Sequence, residues 1–192
     1  LGAVGVHPSL LPRHRGPDPY FWAIDAGDSV TGVTAHMLDD EYDTGAILGQ
    51  RELMIDPSWN AWRLAKKLDR PSLALLREVV SAHAHGKPPV PQAQDQAFAT
   101  PAPQPTDDEL EIRWSESASQ IVRRVRAASP WPGTLTAIGD LDVILTEVRE
   151  GSGAADPLIP GEAIVRADGV AIVKAGDGVV ELLRGRIEDD SG

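Results

Sequence analysis

No helix or strand can run unbroken through residues 88–105, where Pro88, Pro89, Pro91, Pro101, Pro103 and Pro105 fall among Gln, Ala and Thr. Proline has no N–H and a fixed φ, so the stretch reads as an extended linker between two pieces that fold separately. The boundaries that follow are 1–86, a Pro-rich linker over 87–107, and 108–192. The chain's 192 residues suffice for one large or two small domains, and 42% hydrophobic with 24% charged residues excludes wholesale disorder or a membrane-embedded chain. Nine basic and 12 acidic residues over 1–106, against nine and 17 over 107–192, give net charges of −3 and −8. At −11 overall the chain has no general attraction for nucleic acid phosphates, so such a partner requires a local basic patch. The lack of cysteine excludes disulfides, thiolate metal sites and a Cys nucleophile.

Before the linker, residues 2–7 form an apolar strand pattern, 18–26 suit a short helix with Pro19 in its first turn, and 32–38 and 46–55 are strand-like. Trp59, Trp62, Ala65 and Leu68 recur every three residues and predict a core-facing helical stripe. Pro71 should break or kink that helix before Leu73, Leu76, Val79 and Val80 resume the pattern up to Gly86. After the linker, Ala118, Ile121, Val122, Val125 and Ala128 mark one amphipathic helix, stopped by Pro130-Trp131-Pro132-Gly133. The remainder is strand-like, with Gly139-Asp140, Asp168-Gly169 and Asp177-Gly178 as turns and a polar tail at 188–192. Strands mixed with helices indicate an α/β first domain, and short strands with one helix a small, partly open β-barrel.

His7 stands where an apolar strand meets the turn Pro8-Ser9-Leu10-Leu11-Pro12, a strand end of the kind that carries ligand groups in open α/β sheets. A turn histidine with no task is the alternative. Asp43 closes the acidic loop Asp39-Asp40-Glu41-Tyr42-Asp43, which reads as a solvated loop or, less well, a calcium loop lacking the Asp/Asn alternation and terminal Glu. His83 and His85 are two apart, which does not suit a shared metal, and Gly176-Asp177-Gly178 reads as a hairpin turn because no helix follows. Trp59 and Trp62 are expected in the core, and Trp114 and Trp131 between barrel and helix. Arg123, Arg124 and Arg126 form either a solvated helix face or an RNA-backbone contact.

Val6-His7-Pro8-Ser9-Leu10-Leu11-Pro12-Arg13-His14-Arg15-Gly16, Thr31-Gly32-Val33-Thr34 and Asp43-Thr44-Gly45-Ala46-Ile47-Leu48 resemble the formyltransferases that use 10-formyltetrahydrofolate. Ile112-Arg113-Trp114-Ser115, Arg126-Ala127 and Pro130-Trp131-Pro132-Gly133 resemble the C-terminal barrel of the branch that formylates methionyl-tRNA. The resemblance implies the C-terminal part of a Rossmann-like formyltransferase domain followed by a small open, OB-like β-barrel. It also implies that about a hundred residues precede the His7 block in relatives, so this chain is expected to be an N-terminally truncated piece.

The same resemblance makes His7 and Asp43 the catalytic pair, His7 exchanging a proton with the tetrahedral intermediate and Asp43 orienting the imidazole and raising its pKa. Leu38, Asp39, Asp40, Glu41 and Tyr42 would line the pterin side of the folate, and Ser9, Leu10, Leu11 and Pro12 the wall near the reacting carbon. No metal is implied. Initiator methionyl-tRNA is the implied partner, with a small amine such as a nucleotide-linked amino sugar as the alternative, in the cytoplasm and without a membrane. One departure stands out, because the family's catalytic Asn falls on Gly5, which has no amide to offer an oxyanion. Reduced activity, a non-catalytic relative, or a sequence error would each account for it.

Overall fold

The computed structural model describes residues 2–139, 141–152 and 157–187. Asp140 of one expected turn and the tail at 188–192 lie outside the described residues. Two compact units emerge, one from Leu1–Ala23 and Asp28–Gln104, the other from Ile24–Gly27 and Pro105–Gly192.

In the first unit, β1 (Val4–His7), β2 (Val30–Met37) and β3 (Ile47–Met54) form an antiparallel sheet in the order β1-β2-β3. The central strand β2 is buried along almost its whole length, which is why residues 31–36 carry no charged side chain. Helix α1 (Pro19–Asp25), whose last two residues are counted with the second unit, starts with Pro19 where an N–H has no helical partner, and Asp18 Oδ1 accepts from the N–H of Phe21.

Helix α2 (Ala61–Ala84) runs through Pro71 without interruption, contrary to the expected break. A proline inside a helix costs about 3 kcal/mol. Leu64, Leu68, Leu75 and Val79 form one buried stripe on both sides of it, each worth roughly 1.5–3 kcal/mol, so packing outweighs the lost bond. The stripe also corrects the expected face: Trp62 is 57% exposed with Lys66 Nζ 3.4 Å from its ring centre. Trp59 is half-buried, its ring near Lys67 rather than in the core. A spacing of three drifts off a helix face whose period is 3.6, whereas the 4, 7, 4 spacing of the leucines and Val79 stays on it.

The segment read as a linker is held along the first unit. Gln92 and Ile47 exchange two backbone hydrogen bonds at 2.7 and 2.9 Å. Further on, Arg15 N–H donates to Thr100 O at 2.9 Å and Ala102 N–H to Arg15 O at 2.6 Å. Prolines leave this strand-like path open because the bonds fall on Gln92, Thr100 and Ala102, between them.

In the second unit, β4 (Thr134–Ile138), β5 (Leu141–Glu150), β6 (Ala163–Val165), β7 (Ala171–Lys174) and β8 (Val179–Ile187) make a curled antiparallel sheet in the order β4-β5-β8-β7-β6. A short helix, α3 (Asp107–Leu110), precedes α4 (Ala118–Ala127). The expected stripe of α4 packs Ala118, Ile121 and Val125 with Leu145, Val148 and Val180. Ser117 and Gln120 close a capping box on α4, and Asp177 in the β7–β8 turn accepts from Ala118 N–H at 2.8 Å. Trp114 donates from Nε1 to Thr136 Oγ1 at 2.8 Å and packs on this core, but Trp131 is 78% exposed, its ring centre 5.7 Å from the Arg186 guanidinium carbon of β8. Within this unit Arg124 pairs with Asp25 at 2.5 Å and donates to Glu109 O, so it is spent on structure.

Candidate active site

His7 ends β1 opposite Thr34 of β2, and Thr34 fixes the turn that follows. The buried Thr34 hydroxyl accepts from Leu11 N–H at 3.0 Å and from Gln50 Nε2 at 2.8 Å, and donates to Ser9 O at 2.7 Å. The chain then bends through His14 (φ 60) and Gly16 (φ 123). The carbonyl of His14 accepts from His7 Nε2 at 2.8 Å, while His14 Nε2 meets Asp28 Oδ2 at 2.8 Å.

The loop that carries Asp43 folds back on the same turn. Gly45 sits against Met37 O so tightly that a Cβ would lie 1.8 Å from that oxygen, which only glycine allows. Asp43 (φ 58) is thereby placed with Oδ2 3.3 Å from His7 Nδ1 and accepting from Gly16 N–H at 2.9 Å. Its Oδ1 is 3.5 Å from Nε2 of the buried His36, whose Nδ1 donates to Met37 O at 2.9 Å. His36 escaped the sequence reading, although a histidine inside an apolar strand seven residues before the carboxylate was a usable clue.

The expected rise in the His7 pKa is reversed. Burial, the largest influence, pushes the imidazole below its ordinary 6.5, and the upward pull of the His14 carbonyl and Asp43 does not offset it. Behind the site, burial also pushes Asp28 upward, but hydrogen bonds from His14 and Arg13 outweigh this and hold its carboxyl at about 2. Folding therefore favours the ionised Asp28, a contribution present above about pH 4 and lost as pH falls toward 2. Asp28→Asn is expected to cost about 1–2 kcal/mol at pH 7 after solvent screening, and much less at pH 2, read from denaturant titrations at the two pH values.

His7, Arg15, Gly16, Tyr42, Asp43 and Thr100 line a cavity of about 800 Å³ in the first unit, a size suited to a small-molecule substrate. Of the other residues expected to bind folate, Ser9 and Leu11 are buried behind it. Leu10 and Pro12 are half-buried, and Leu38, Asp39, Asp40 and Glu41 are exposed. The cavity thus collects His7, Asp43 and Tyr42 and leaves those eight outside its lining. Gln94 was missed because its segment reads as linker. Buried, it donates from Nε2 to Asp43 O at 2.7 Å and Gly45 O at 2.8 Å, fixing the Asp43 loop from behind. His83 and His85 each engage a helix carbonyl through Nδ1. Among the described residues no group of three His, Asp or Glu side chains could hold a metal ion, and no helix is long and apolar enough to cross a membrane.

The sequence model "Formyl transferase" matches residues 1–80 and "Formyl transferase, C-terminal domain" matches 105–191, so the chain belongs to the formyltransferase family. Its curated relatives include the methionyl-tRNA formyltransferases of Roseiflexus sp. (strain RS-1), 37% identical over 95% of this chain and 56% of that protein, and of Deinococcus radiodurans, 35% identical over 94% and 55%. The chain therefore spans a little over half the length of these relatives. Among solved structures, the fold is shared with HypX from Aquifex aeolicus in complex with tetrahydrofolic acid (TM-score 0.74, 21% identity, 97% of this chain and 32% of that one). It is shared also with an N-formyltransferase from Helicobacter canadensis in complex with folinic acid and dTDP-3-aminofucose (TM-score 0.76, 15% identity, 95% and 66%).

Proposed function

We propose that this chain carries the catalytic His7 and Asp43 of an enzyme that transfers a formyl group from 10-formyltetrahydrofolate to an amine. The observation that carries the reading is the His7–Asp43 contact at 3.3 Å on the wall of the cavity. The cavity suits a flat heterocycle: Tyr42, 88% exposed, presents an aromatic face beside Asp43. Leu38, Asp39, Asp40, Glu41 and Tyr42 would flank the pterin. Ser9, Leu10, Leu11 and Pro12 would support the wall near the reacting carbon from outside the cavity lining, Ser9 and Leu11 through Thr34.

In the reaction, the acceptor nitrogen attacks the formyl carbon, a new C–N bond forms, the carbonyl oxygen becomes an oxyanion and the nitrogen must lose a proton. His7 accepts that proton, and the resulting imidazolium has acceptors at both ring nitrogens, His14 O and Asp43. Collapse of the oxyanion breaks the bond to the folate N10, which leaves with a proton returned by His7.

The methionyl-tRNA formyltransferases at 35–37% identity favour the amino group of methionyl-tRNA as the acceptor, a step of translation initiation in the cytoplasm. The −8 charge of residues 107–192 favours the second reading, a small nucleotide-linked amino sugar. Salt separates them in the whole protein. A tRNA acceptor held by several phosphate contacts gives a KM that rises steeply between about 50 and 200 mM salt, by on the order of a hundredfold or more. A small amine gives a nearly flat dependence, and formyl transfer to neither acceptor refutes the transferase reading.

A further inference from the structure

Arg15 is the one permanently charged cation in the cavity lining among the described residues, and it is held by amides instead of carboxylates. Its Nε and Nη2 donate to Gln94 Oε1 at 3.1 and 2.7 Å, and its Nη1 donates to Gln96 Oε1 at 2.9 Å. No carboxylate lies within 4.0 Å of the guanidinium among the described residues. Two residues earlier, Arg13 is neutralised by the two oxygens of Asp28 at 2.8 and 2.6 Å, which is how a purely structural arginine on this turn is held. Neutral partners orient a cation without cancelling its charge. A guanidinium has five N–H donors, so these bonds leave one free on each Nη, the fork that suits a phosphate oxygen pair.

Gln94 fixes where this charge stands. Its Oε1 takes the guanidinium while its Nε2 is bound to the carbonyls of Asp43 and Gly45, so one buried amide ties Arg15 to the backbone of the proposed catalytic carboxylate. The neighbouring Gly16 N–H donates to the Asp43 side chain at 2.9 Å, binding the same turn to the same residue. The Arg15 turn and segment 99–103 are separate in sequence from the 38–43 loop proposed for the pterin.

We infer that Arg15, oriented by Gln94, is the anchor for a phosphate group of the formyl acceptor, an inference that rests on the cavity being the formyl-transfer site. Both acceptors considered above, a tRNA end and a nucleotide-linked sugar, carry phosphate, and Arg15 recognises that shared group. The glutamate carboxylate of the folate is the competing anion.

The test compares the whole wild-type protein with Arg15→Gln and Gln96→Glu. Binding of inorganic pyrophosphate is measured by calorimetry, and KM for the acceptor and for 10-formyltetrahydrofolate are measured separately. Arg15→Gln is expected to weaken pyrophosphate about 10- to 100-fold and to raise the acceptor KM by the same factor, leaving kcat and the folate KM within about twofold. Gln96→Glu retains an exposed hydrogen bond but sets a carboxylate on the guanidinium, so a smaller loss of about 3- to 10-fold in the same direction is expected, free of any folding effect from losing Arg15. Equal pyrophosphate binding by wild type and Arg15→Gln overturns the inference, as does a rise confined to the folate KM. If the wild type transfers no formyl group, the functional reading falls, while the pyrophosphate comparison still decides whether Arg15 is an anion site.

Discussion

His7→Asn lowers formyl transfer roughly 10²- to 10⁴-fold in the whole protein, the usual worth of a positioned general acid–base, and removes the acid limb of the pH–rate profile. Burial holds the resting imidazole below 6.5, so at neutral pH it is the proton acceptor that amine attack requires. The wild-type rate accordingly rises from acid pH to a plateau with an apparent pKa under 6.5. The sign for stability follows from the same shift. The unfolded chain binds the proton more readily than the native one, so the His7 contribution is present above pH 6.5 and lost as pH falls through the folded pKa. Steady-state rates between pH 5 and 8, with circular dichroism to confirm folding, check both statements. A variant that keeps the wild-type rate and acid limb takes His7 out of the chemistry.

Gly5→Asn raises the rate by roughly 100- to 1000-fold, because it supplies the side-chain amide that the family resemblance places two residues before His7, and one oxyanion donor is worth about 2.7–4 kcal/mol. The change requires two neighbours to yield, Leu38 at the surface and the buried His36 ring. A Cβ at position 5 lies 2.7 Å from Leu38 Cδ2, the end of a side chain that is 53% exposed and can swing away, and 3.2 Å from His36 Nε2. Gly5 pairs with His36 in an ordinary strand, so no backbone strain opposes the change. The gain belongs in kcat, since an oxyanion exists only after attack. An unchanged or absent rate in a variant that still binds folate points instead to a non-catalytic relative.

Local patterns were legible wherever a single period governs burial. The α4 stripe, its stop at Pro130 and the strands around residues 4–7 and 30–37 each follow from side chains that face one side of one element. The face of α2 was not legible from the tryptophans, because apolar residues at a spacing of three leave a helical face within two turns. The leucines at Leu64, Leu68 and Leu75 carry the true phase. Helix continuity through Pro71 was likewise a matter of what α2 packs against, which no propensity contains.

The amino-acid sequence by itself determined the family, since motif blocks survive without coordinates, and the resemblance they carry is what singled out His7 and Asp43 for attention. Only the tertiary structure decided the rest. It brought His36 to the far oxygen of Asp43, reversed the expected direction of the His7 pKa, set Ala99, Thr100 and Pro101 of the proline-rich stretch in the cavity wall and put Gln94 behind the Asp43 loop. Desolvation and hydrogen bonds between residues about fifty apart in the chain depend on which groups exclude water together, and that is settled only when the whole unit is packed.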